Sequence, residues 1–394
     1  MTRDPTHRFP LGAAVTATVL EDDPHPHLAR LRSSEPVSWL PALGGWLVTS
    51  RPLAMEVMRD ADAFTVDDPR FSTAQVVGPS MLSLDGPAHT RHRDPFARPF
   101  RPAPTRERFT AFVEAEAARL VDGLAPAGRA ELRGDLAGPL AVAVVTEALG
   151  LEDVDAATVR SWYGAFVEAV SAITAGETAP AGADAAYRLL RAAVQDAIGA
   201  SRPGSLLAHA ARDEAGLTAD EVVANAAILM FGGIDTTEGM IANVVLHLLG
   251  HPDQLRLVLA DRDLLPAAIE ESLRLEPPAS VVDRYATRDT EIGGTAVRAG
   301  DLVRVSLAAA NRDPTVFPDP DRFDVRRRNA ADHLAFARGP HFCFGAHLAR
   351  LEARVSVTAL LDRLPGLRLD PSRPARPHGL VFRRPRYLHV RWDV

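Results

Sequence analysis

The stretch FARGPHFCFGAHLAR, residues 336–350, contains Cys343, the only cysteine in a chain of 394 residues. A lone cysteine most often serves as a small buried hydrophobic residue, so this is the first interpretation to test. Here it lies between Gly339 and Gly345, just ahead of a helical pattern that continues through LARLEARV. A thiolate ahead of a helix N-terminus is stabilised by the helix dipole and by backbone N–H groups. The stretch therefore also fits a metal ligand.

The composition excludes several classes of protein. A net charge of -7 argues against a nucleic-acid-binding protein that needs a strong positive field. A single cysteine excludes an intrachain disulfide framework, and it excludes zinc or iron–sulfur sites that need several thiolates from this chain. Iron held by one thiolate needs no second protein ligand and remains compatible with the sequence.

The hydropathy pattern predicts no membrane segment. No stretch approaches the roughly 20 apolar residues of a membrane span. The apolar run at 11–20 is preceded by Asp4, Pro5 and Pro10 and followed by EDDPHPH, which argues against a secretory signal. We therefore expect a soluble, cytoplasmic protein with no membrane partner.

Periodicity predicts a mainly α fold with a small β-rich flank. A hairpin is expected at 37–50 and a half-buried strand at 301–307, while 174–186 reads as a surface loop between helices. Helical patterns fill the middle of the chain, at 105–122, 139–149, 155–173, 183–198, 219–249, 253–260 and 264–275. Strands and helices do not alternate as in βαβ units, so one mostly helical domain is predicted.

The segment 219–249 is the most informative of these helices. Thr218 and Glu221 form a capping-box pair at its start, and Gly250 and Pro252 close its end. Its centre is apolar on all sides, which predicts burial throughout.

Two features in the middle of this helix do not suit a simple core helix. Gly232-Gly233 costs roughly 1 kcal/mol per glycine relative to alanine, and Asp235 and Thr236 place polar groups where burial is costly. A helix–helix crossing at the glycines is one explanation. The other is a large flat ligand lying against the helix, with the Thr236 hydroxyl bonding the Gly232 carbonyl and opening a polar groove.

Two further short motifs are ambiguous when taken alone. Glu271 and Arg274 in EESLR share one helix face, and His89 and Arg93 in HTRHR lie one helical turn apart. The first pair could be an unremarkable surface ion pair. The second could be a solvated basic face or two groups aimed at one anion.

Taken together and in order, these motifs resemble those of the bacterial cytochromes P-450, which are haem-thiolate monooxygenases. The family's Phe-Gly-x-Gly-x-His-x-Cys-x-Gly signature reads here FARGPHFCFG, with Ala337 where glycine is usual. The family's oxygen-activating motif reads GGIDTT at 232–237, its Glu-x-x-Arg motif reads ESLR, and 284–324 matches the segment that follows in the family. The resemblance covers essentially the full length, and it implies a single domain over residues 1–394 with a helical bundle around haem b.

The resemblance assigns roles residue by residue. Cys343 would be the proximal iron ligand, with Phe336 packed beside it and Gly345 leaving room for the haem. Asp235 and Thr236 would form the acid–alcohol pair that relays protons to oxygen. Glu271 and Arg274 would be a structural pair joined by a residue from the RFD segment at 322–324. The remaining predicted haem-binding residues are His89, Arg93, Gly233, Arg284 and His341, of which the histidines and arginines would hold the propionates.

The predicted substrate pocket is largely apolar, which favours a hydrophobic or aromatic small molecule. Phe231 is bulky for its position and is expected to narrow the space above the haem. Ser280 is among the few polar groups. The predicted lining consists of Val76, Val77, Met81, Leu82, Ile228, Phe231, Ser280, Val281 and Phe382, with Val282 and Val381 as further candidates.

The leading functional hypothesis is an oxidoreductase that uses O2 to hydroxylate a small metabolite, in secondary metabolism. The chain offers no flavin or iron–sulfur domain, so electrons are expected from a ferredoxin and its ferredoxin reductase. Five arginines could form a docking patch for that acidic carrier, namely Arg98, Arg101, Arg338, Arg350 and Arg354. The alternatives are coupling, dealkylation, desaturation or peroxide-driven oxidation, and a non-catalytic haem sensor.

Overall fold

Helices make up most of the computed structural model, which describes residues 5–151, 153–174, 178–200 and 205–394. The mainly α fold with a small β-rich flank is confirmed. In chain order the helices are α1 Pro10–Ala13, α2 Ala17–Asp22, α3 His25–Ser34, α4 Arg51–Arg59, α5 Ser72–Val77, α6 Gly86–Ala97, α7 Pro102–Leu124, α8 Gly138–Leu149, α9 Ala156–Thr174, α10 Gly182–Ala200, α11 Leu206–Ala210, α12 Ala219–Gly250, α13 Pro252–Ala260, α14 Leu265–Leu275, α15 Leu307–Ala310 and α16 Ala346–Arg363.

The strands form small sheets at the flank of the helical part. The largest sheet has the order β1-β2-β8-β5-β3, and β2 and β8 run parallel. The strands are β1 Val37–Leu40, β2 Gly45–Val48, β3 Phe64–Thr65, β4 Arg129–Glu131, β5 Val281–Ala286, β6 Thr290–Ile292, β7 Thr295–Val297, β8 Leu302–Ser306, β9 Arg368–Leu369, β10 Pro377–His378, β11 Arg384–Pro385 and β12 His389–Arg391. The hairpin predicted at 37–50 is β1–β2, and the strand predicted at 301–307 is β8.

All seven helices predicted from periodicity are present, within a few residues at each end. The loop predicted at 174–186 is shorter than expected because α10 already begins at Gly182; its residues 175–177 lie outside the described part of the chain.

Helix α12 is the centre of the fold. It packs against α8, α10, α14 and α16, and most of its residues are buried. The predicted capping box is present, since Thr218 Oγ1 accepts from the Glu221 N–H and the Glu221 carboxylate accepts from the Thr218 N–H at 2.8 Å. The capping box sets where this helix begins, and its apolar centre accounts for its burial in the core.

The Glu271–Arg274 pair is part of the core and not a surface ion pair. Both side chains are fully buried, and two hydrogen bonds of 2.7 and 2.9 Å join them. The RFD segment joins through its backbone: the Arg322 carbonyl accepts from Arg274 and the Asp324 N–H donates to Glu271. Side-chain contact comes from Arg327, just beyond that segment. This network ties α14 to the loop that leads into the cysteine stretch.

The described helices include no candidate membrane span. None of them combines the length and the apolar character that crossing a bilayer requires.

Candidate functional site

A cavity separates the middle of α12 from the stretch that contains Cys343. Gly232, Gly233 and Thr236 line it on the α12 side, and Cys343 and Gly345 face them from the turn before α16. Two motifs that lie more than a hundred residues apart in the sequence therefore form opposite walls of one site.

The turn around Cys343 has a fixed shape. The Cys343 N–H donates to the Phe336 carbonyl at 2.9 Å, closing a loop over the intervening residues. Gly339 has φ +77°, and a Cβ atom there would collide with the Met58 carbonyl oxygen, so only glycine fits. Ala337, which replaces the family's usual glycine, also lies in the left-handed region with φ 57°. The backbone of Ala337, the one residue that departs from the family signature, is therefore strained.

The surface of Cys343 is accessible within the cavity, although protein atoms surround the residue densely. Burial raises the pKa of the thiol, whereas the N–H groups of Gly345 and Ala346 and the charge of Arg93 act in the opposite direction. An additional positive charge in the cavity, such as a ferric ion, would favour the thiolate further.

Two arginines near the cavity have only main-chain hydrogen bonds. Arg93 donates to the Phe342 carbonyl at 2.5 Å and Arg284 to the Asp283 carbonyl at 2.7 Å. Neither has a carboxylate oxygen within 4.0 Å among the described residues. Arg284 is 5% exposed, and burial lowers its pKa and that of Arg93. A buried guanidinium without an anion is costly, so both positions fit a bound ligand's carboxylates.

The two predicted histidines lie beside each other, with ring centroids 4.4 Å apart. His341 contacts Asp85 at 2.8 Å, whereas His89 Nε2 is buried without a partner. Burial, and then the charges of His341 and Arg93, lower the pKa of His89 to about 4. A neutral imidazole has one donor and one acceptor nitrogen, so the unpartnered Nε2 of His89 can form a hydrogen bond with a carboxyl group.

These observations test whether the site fits a haem. The cavity presents one thiol on one wall and glycines with a hydroxyl on the other. Arg93 also lines it, and Arg284 lies near His341 on its wall; neither arginine has a carboxylate partner among the described residues. A planar iron porphyrin with two propionates satisfies all three features, because the thiolate binds iron and the cations bind carboxylates. The residues present fit the group.

The adjacent glycines Gly232 and Gly233 of α12 differ in what surrounds them. A Cβ at Gly232 would meet no atom within 4 Å, whereas one at Gly233 would approach Val145 Cγ2 to 2.6 Å. Gly233 therefore allows α8 to pack closely against α12, as a helix–helix crossing requires. The open space beside Gly232 fits the other explanation, a ligand lying against the helix. Thr236 Oγ1 donates to the Gly232 carbonyl at 2.5 Å, as predicted.

Asp235 and Thr236 face different spaces. Thr236 lines the cavity, but Asp235 lines a separate polar cleft on the other side of α12, together with Tyr163, Glu238 and Arg384. Arg384 forms an ion pair with Asp235. Burial, followed by the Asp235 charge, raises the pKa of Tyr163. The acid and the alcohol thus lie next to each other in sequence but do not share one pocket.

The structure divides the predicted substrate residues into two groups. Met81, Leu82, Ile228, Phe231 and Val282 line the cavity. Phe382 is not on its wall, but its ring contacts that of Phe231 at 5.5 Å.

The other predicted substrate residues do not line the cavity. Ser280 and Val281 border a different small space. Ser280 lies just before β5, where its hydroxyl donates to the Leu380 carbonyl, and Val281 alternates along β5 with Val282, which lines the cavity. Val76 and Val77 pack into the core from α5.

Sequence reasoning missed several site residues. Glu352 lines the cavity from α16, has Oε2 buried without a partner, and burial raises its pKa well above the usual range. Its signal was a carboxyl on the buried face of α16, one turn past Leu348. Arg384, which pairs with Asp235, had no signal because it comes from a distant hairpin.

The comparisons with known proteins agree with this geometry. A family model described as Cytochrome P450 matches residues 204–387. The chain is 39% identical over 391 residues to the cytochrome P450 monooxygenase PikC of Streptomyces venezuelae, covering 94% of this chain and 91% of that protein. It is 35% identical to nocardicin C N-oxygenase of Nocardia uniformis subsp. tsuyamanensis over the full length of both. The structure of cytochrome P450 CYP109Q5 from Chondromyces apiculatus superposes with a TM-score of 0.86 at 31% identity, covering 97% of this chain and 99% of that one.

Proposed function

The chain belongs to the cytochrome P450 family, an oxidoreductase family that binds haem b through a cysteine thiolate, and we propose that it hydroxylates a small, largely apolar or aromatic metabolite. The observation that carries the proposal is that Cys343 and Thr236 lie on opposite walls of one mainly apolar cavity. We further propose that residues 1–394 act as one domain and that the substrate belongs to secondary metabolism.

The haem, when bound, supplies the activation of O2 and the insertion of one oxygen atom into a C–H bond. Cys343 would hold the iron, and Phe336 would shield the sulfur, since its ring lies on the cavity wall under the guanidinium of Arg350 at 4.5 Å. Arg93, Arg284, His89 and His341 would hold the propionates. Gly345 leaves the approach from α16 open.

Proton delivery would use groups on both sides of α12. Thr236 holds its hydroxyl in the cavity by donating to the Gly232 carbonyl, so its oxygen can still accept from a water molecule. Asp235 takes up protons from the polar cleft, where Arg384 holds its carboxylate. The carboxylate must turn away from Arg384 to pass a proton towards Thr236.

The cavity wall supports an apolar substrate. Its lining includes Met81, Leu82, Ile228 and Phe231, with Thr236 and Thr237 as hydroxyl groups near the α12 side. The Phe231–Phe382 contact narrows this space and favours compact or planar molecules.

We propose a ferredoxin as the electron donor, itself reduced by a ferredoxin reductase. Arg101 and Arg354 are exposed and remain candidates for its docking site. Arg350 is not available, because it makes two hydrogen bonds to Glu270 at 2.6 and 2.8 Å. Arg98 and Arg338 complete the proposed patch. Charge reversal at Arg101 and Arg354 should slow reduction by ferredoxin, with the effect shrinking at high salt.

A second candidate is a different oxidative outcome on the same haem. Nocardicin C N-oxygenase, at 35% identity, carries the name of an N-oxygenation, so relatedness does not fix the product. Ring coupling, dealkylation, desaturation and peroxide use remain alternatives. A haem sensor is disfavoured because both Asp235 and Thr236 are retained.

The proposal is tested by spectroscopy and then by product analysis. The reduced carbon-monoxide complex should show a thiolate-type spectrum that Cys343→Ala abolishes; retention of that spectrum would contradict the ligand assignment. A screen for small molecules that displace the distal water of the ferric haem then identifies substrates. Incubation with O2 and a surrogate ferredoxin system should yield a hydroxylated product. Absence of turnover with every molecule that binds would favour the sensor.

A further inference from the structure

A basic surface cleft lies apart from the cavity, near the C-terminal end of the chain. Its volume is about 500 Å³. One wall follows β9 and the other precedes β12. The lining consists of Asp22, Arg373, Pro374, Ala375, Arg376, His378, Arg386, Tyr387 and His389.

The charge of this cleft is opposite to that of the whole chain. Three guanidinium groups line it against a single carboxylate, Asp22, while the chain carries a net charge of -7. Asp22 is shared, since it lies 3.5 Å from Arg376 and 3.4 Å from His378. Converging like charges repel each other, and a bound anion relieves that repulsion.

Two of these arginines lack a carboxylate partner. Arg373 contacts His389 Nε2 at 3.3 Å, and Arg386 contacts His378 Nε2 at 3.3 Å. Within the described residues, no carboxylate oxygen lies within 4.0 Å of either guanidinium. A histidine nitrogen accepts one hydrogen bond, so most of the five donors of each arginine remain free for a ligand.

Neighbouring arginines behave differently. Arg368 pairs with Asp393 at 2.8 Å and Arg391 with Asp370 at 2.9 Å. The same small region thus pairs the arginines outside the cleft and leaves two inside it unpaired. General charge excess in this part of the chain does not explain that distribution.

The walls hold their shape without a ligand. On one side, Asp370 accepts from the Ser372 N–H and hydroxyl, which fixes the turn that leads to Arg373. On the other, the Arg386 carbonyl accepts from Arg133, and β12 pairs with both β4 and β9. The backbone that carries the arginines is therefore held in place, which lowers the cost of loop ordering when an anion binds.

The cleft also carries an exposed aromatic ring. Tyr387 is 66% exposed, and its ring lies nearly parallel to that of His389, with centroids 6.1 Å apart. An exposed ring beside free guanidinium groups suits a molecule that has a flat part and an anionic part.

We propose that this cleft binds a phosphate ester of an aromatic small molecule, with Arg373, Arg376 and Arg386 contacting the phosphate and Tyr387 contacting the ring. Arginine is the preferred partner of phosphate because its planar fork matches two phosphate oxygens. The site lies outside the cavity that contains Cys343. Arg386 and Tyr387 also line the polar cleft that contains Asp235, so the two clefts share a wall.

Calorimetric titration of the holoprotein, without substrate or ferredoxin, tests the proposal. The probes are inorganic diphosphate, 4-nitrophenyl phosphate and adenosine diphosphate. We expect saturable binding of both aromatic phosphates. The ranking of the two distinguishes a simple aryl phosphate from a nucleotide as the ligand class. No saturable binding of any aromatic phosphate would overturn the proposal.

The double variant Arg373→Glu/Arg386→Glu should weaken binding of all probes at least tenfold. Tyr387→Ala should weaken the aromatic phosphates but leave inorganic diphosphate unchanged. Arg363→Glu/Arg368→Glu is the matched control, because it makes the same change in net charge at arginines that pair with Asp122 and Asp393. If the test and control variants lost the same affinity for the probes, the loss would come from overall charge, and the proposed site would be wrong. An unchanged thiolate-type spectrum in each variant shows that the protein is folded.

Discussion

Arg274 and Arg284 are both buried arginines, yet their surroundings differ completely. Arg274 makes two hydrogen bonds to Glu271 and others to the carbonyls of Asn311, Pro320 and Arg322. Arg284 makes one, to the carbonyl of Asp283. The adjacent carboxylate of Asp283 pairs instead with Arg304 on β8.

The difference separates residues that hold the fold from residues that hold a ligand. A buried charge is stable only with a partner, so the protein itself must supply one, or a bound molecule must. For Arg274 the partner is Glu271. For Arg284 the partner is missing from the described chain, and a haem propionate fits that role.

Breaking the satisfied pair should have the largest effect. Arg274→Ala leaves Glu271 buried without its cation and should lower the free energy of unfolding by about 3–5 kcal/mol. Denaturant titration measures it. Arg262→Ala is the control, since Arg262 pairs with Asp362 at the surface and should cost well under ~1 kcal/mol. Similar values for the two variants would contradict the comparison.

Replacing the unsatisfied arginine should affect haem binding more than folding. Arg284→Gln removes a buried charge that has no carboxylate partner, so it should not lower the stability of the haem-free protein. It should weaken haem affinity roughly tenfold, since a charge-assisted hydrogen bond contributes about 1.5–3 kcal/mol. Transfer of haem to a competing apoprotein measures this. Arg304→Gln should show the reverse pattern, because its partner Asp283 belongs to the chain. An unaltered rate and extent of haem transfer in Arg284→Gln would exclude Arg284 as a propionate ligand.

Glu352 extends the comparison to a carboxyl group. Burial raises its pKa in the folded state, so the folded protein retains a proton that the unfolded chain loses above the ordinary glutamate pKa. Glu352 therefore costs stability as the pH rises through and above that value. Glu352→Gln stays neutral, so it should be more stable than the wild type at pH 8 and gain much less at pH 4. Denaturant titration at both pH values checks this; a constant difference between the two would contradict it.

The smallest effect is expected in the cysteine turn itself. Ala337 has φ 57°, a backbone conformation that destabilises an alanine by roughly 1 kcal/mol. Glycine removes this strain, but it also raises the conformational entropy of the unfolded chain, which cancels part of the gain in stability. Ala337→Gly should therefore stabilise the protein by about 0.5 kcal/mol. Thermal unfolding detects it, with Gly339→Ala as the opposite case, because that methyl would strike the Met58 carbonyl. Destabilisation by Ala337→Gly would mean that the Ala337 side chain contributes packing that outweighs the strain.

Much of the fold and the centre of the site were predictable from local patterns. Periodicity located α12 and its neighbours, and the motifs identified Cys343, Thr236 and the Glu271–Arg274 pair. The Thr236–Gly232 hydrogen bond was predictable because both groups belong to one helical turn. Such features depend on residues close in sequence.

The errors concern which way side chains face. Ser280 and Val281 were predicted to line the substrate pocket but border another space. Val281 alternates along β5 with Val282, which lines the cavity, and Ser280 precedes β5 and donates to the Leu380 carbonyl. Val76 and Val77 lie on a short helix whose packing the sequence does not specify. Gly233 lines the cavity as predicted, but the sequence did not show that Val145 on α8 fills the space that a side chain there would occupy.

The sequence by itself determined the helices, the family and the single thiol that can bind iron, because each depends on residue type at short, regular spacing. Only the tertiary structure decided that Asp235 and Thr236 open into separate spaces, that Arg384 reaches Asp235, and that Arg284 lacks a partner where Arg274 has one. The physical reason is that a charge's partner is chosen by which segments meet in space, and these segments lie up to 149 residues apart in the chain.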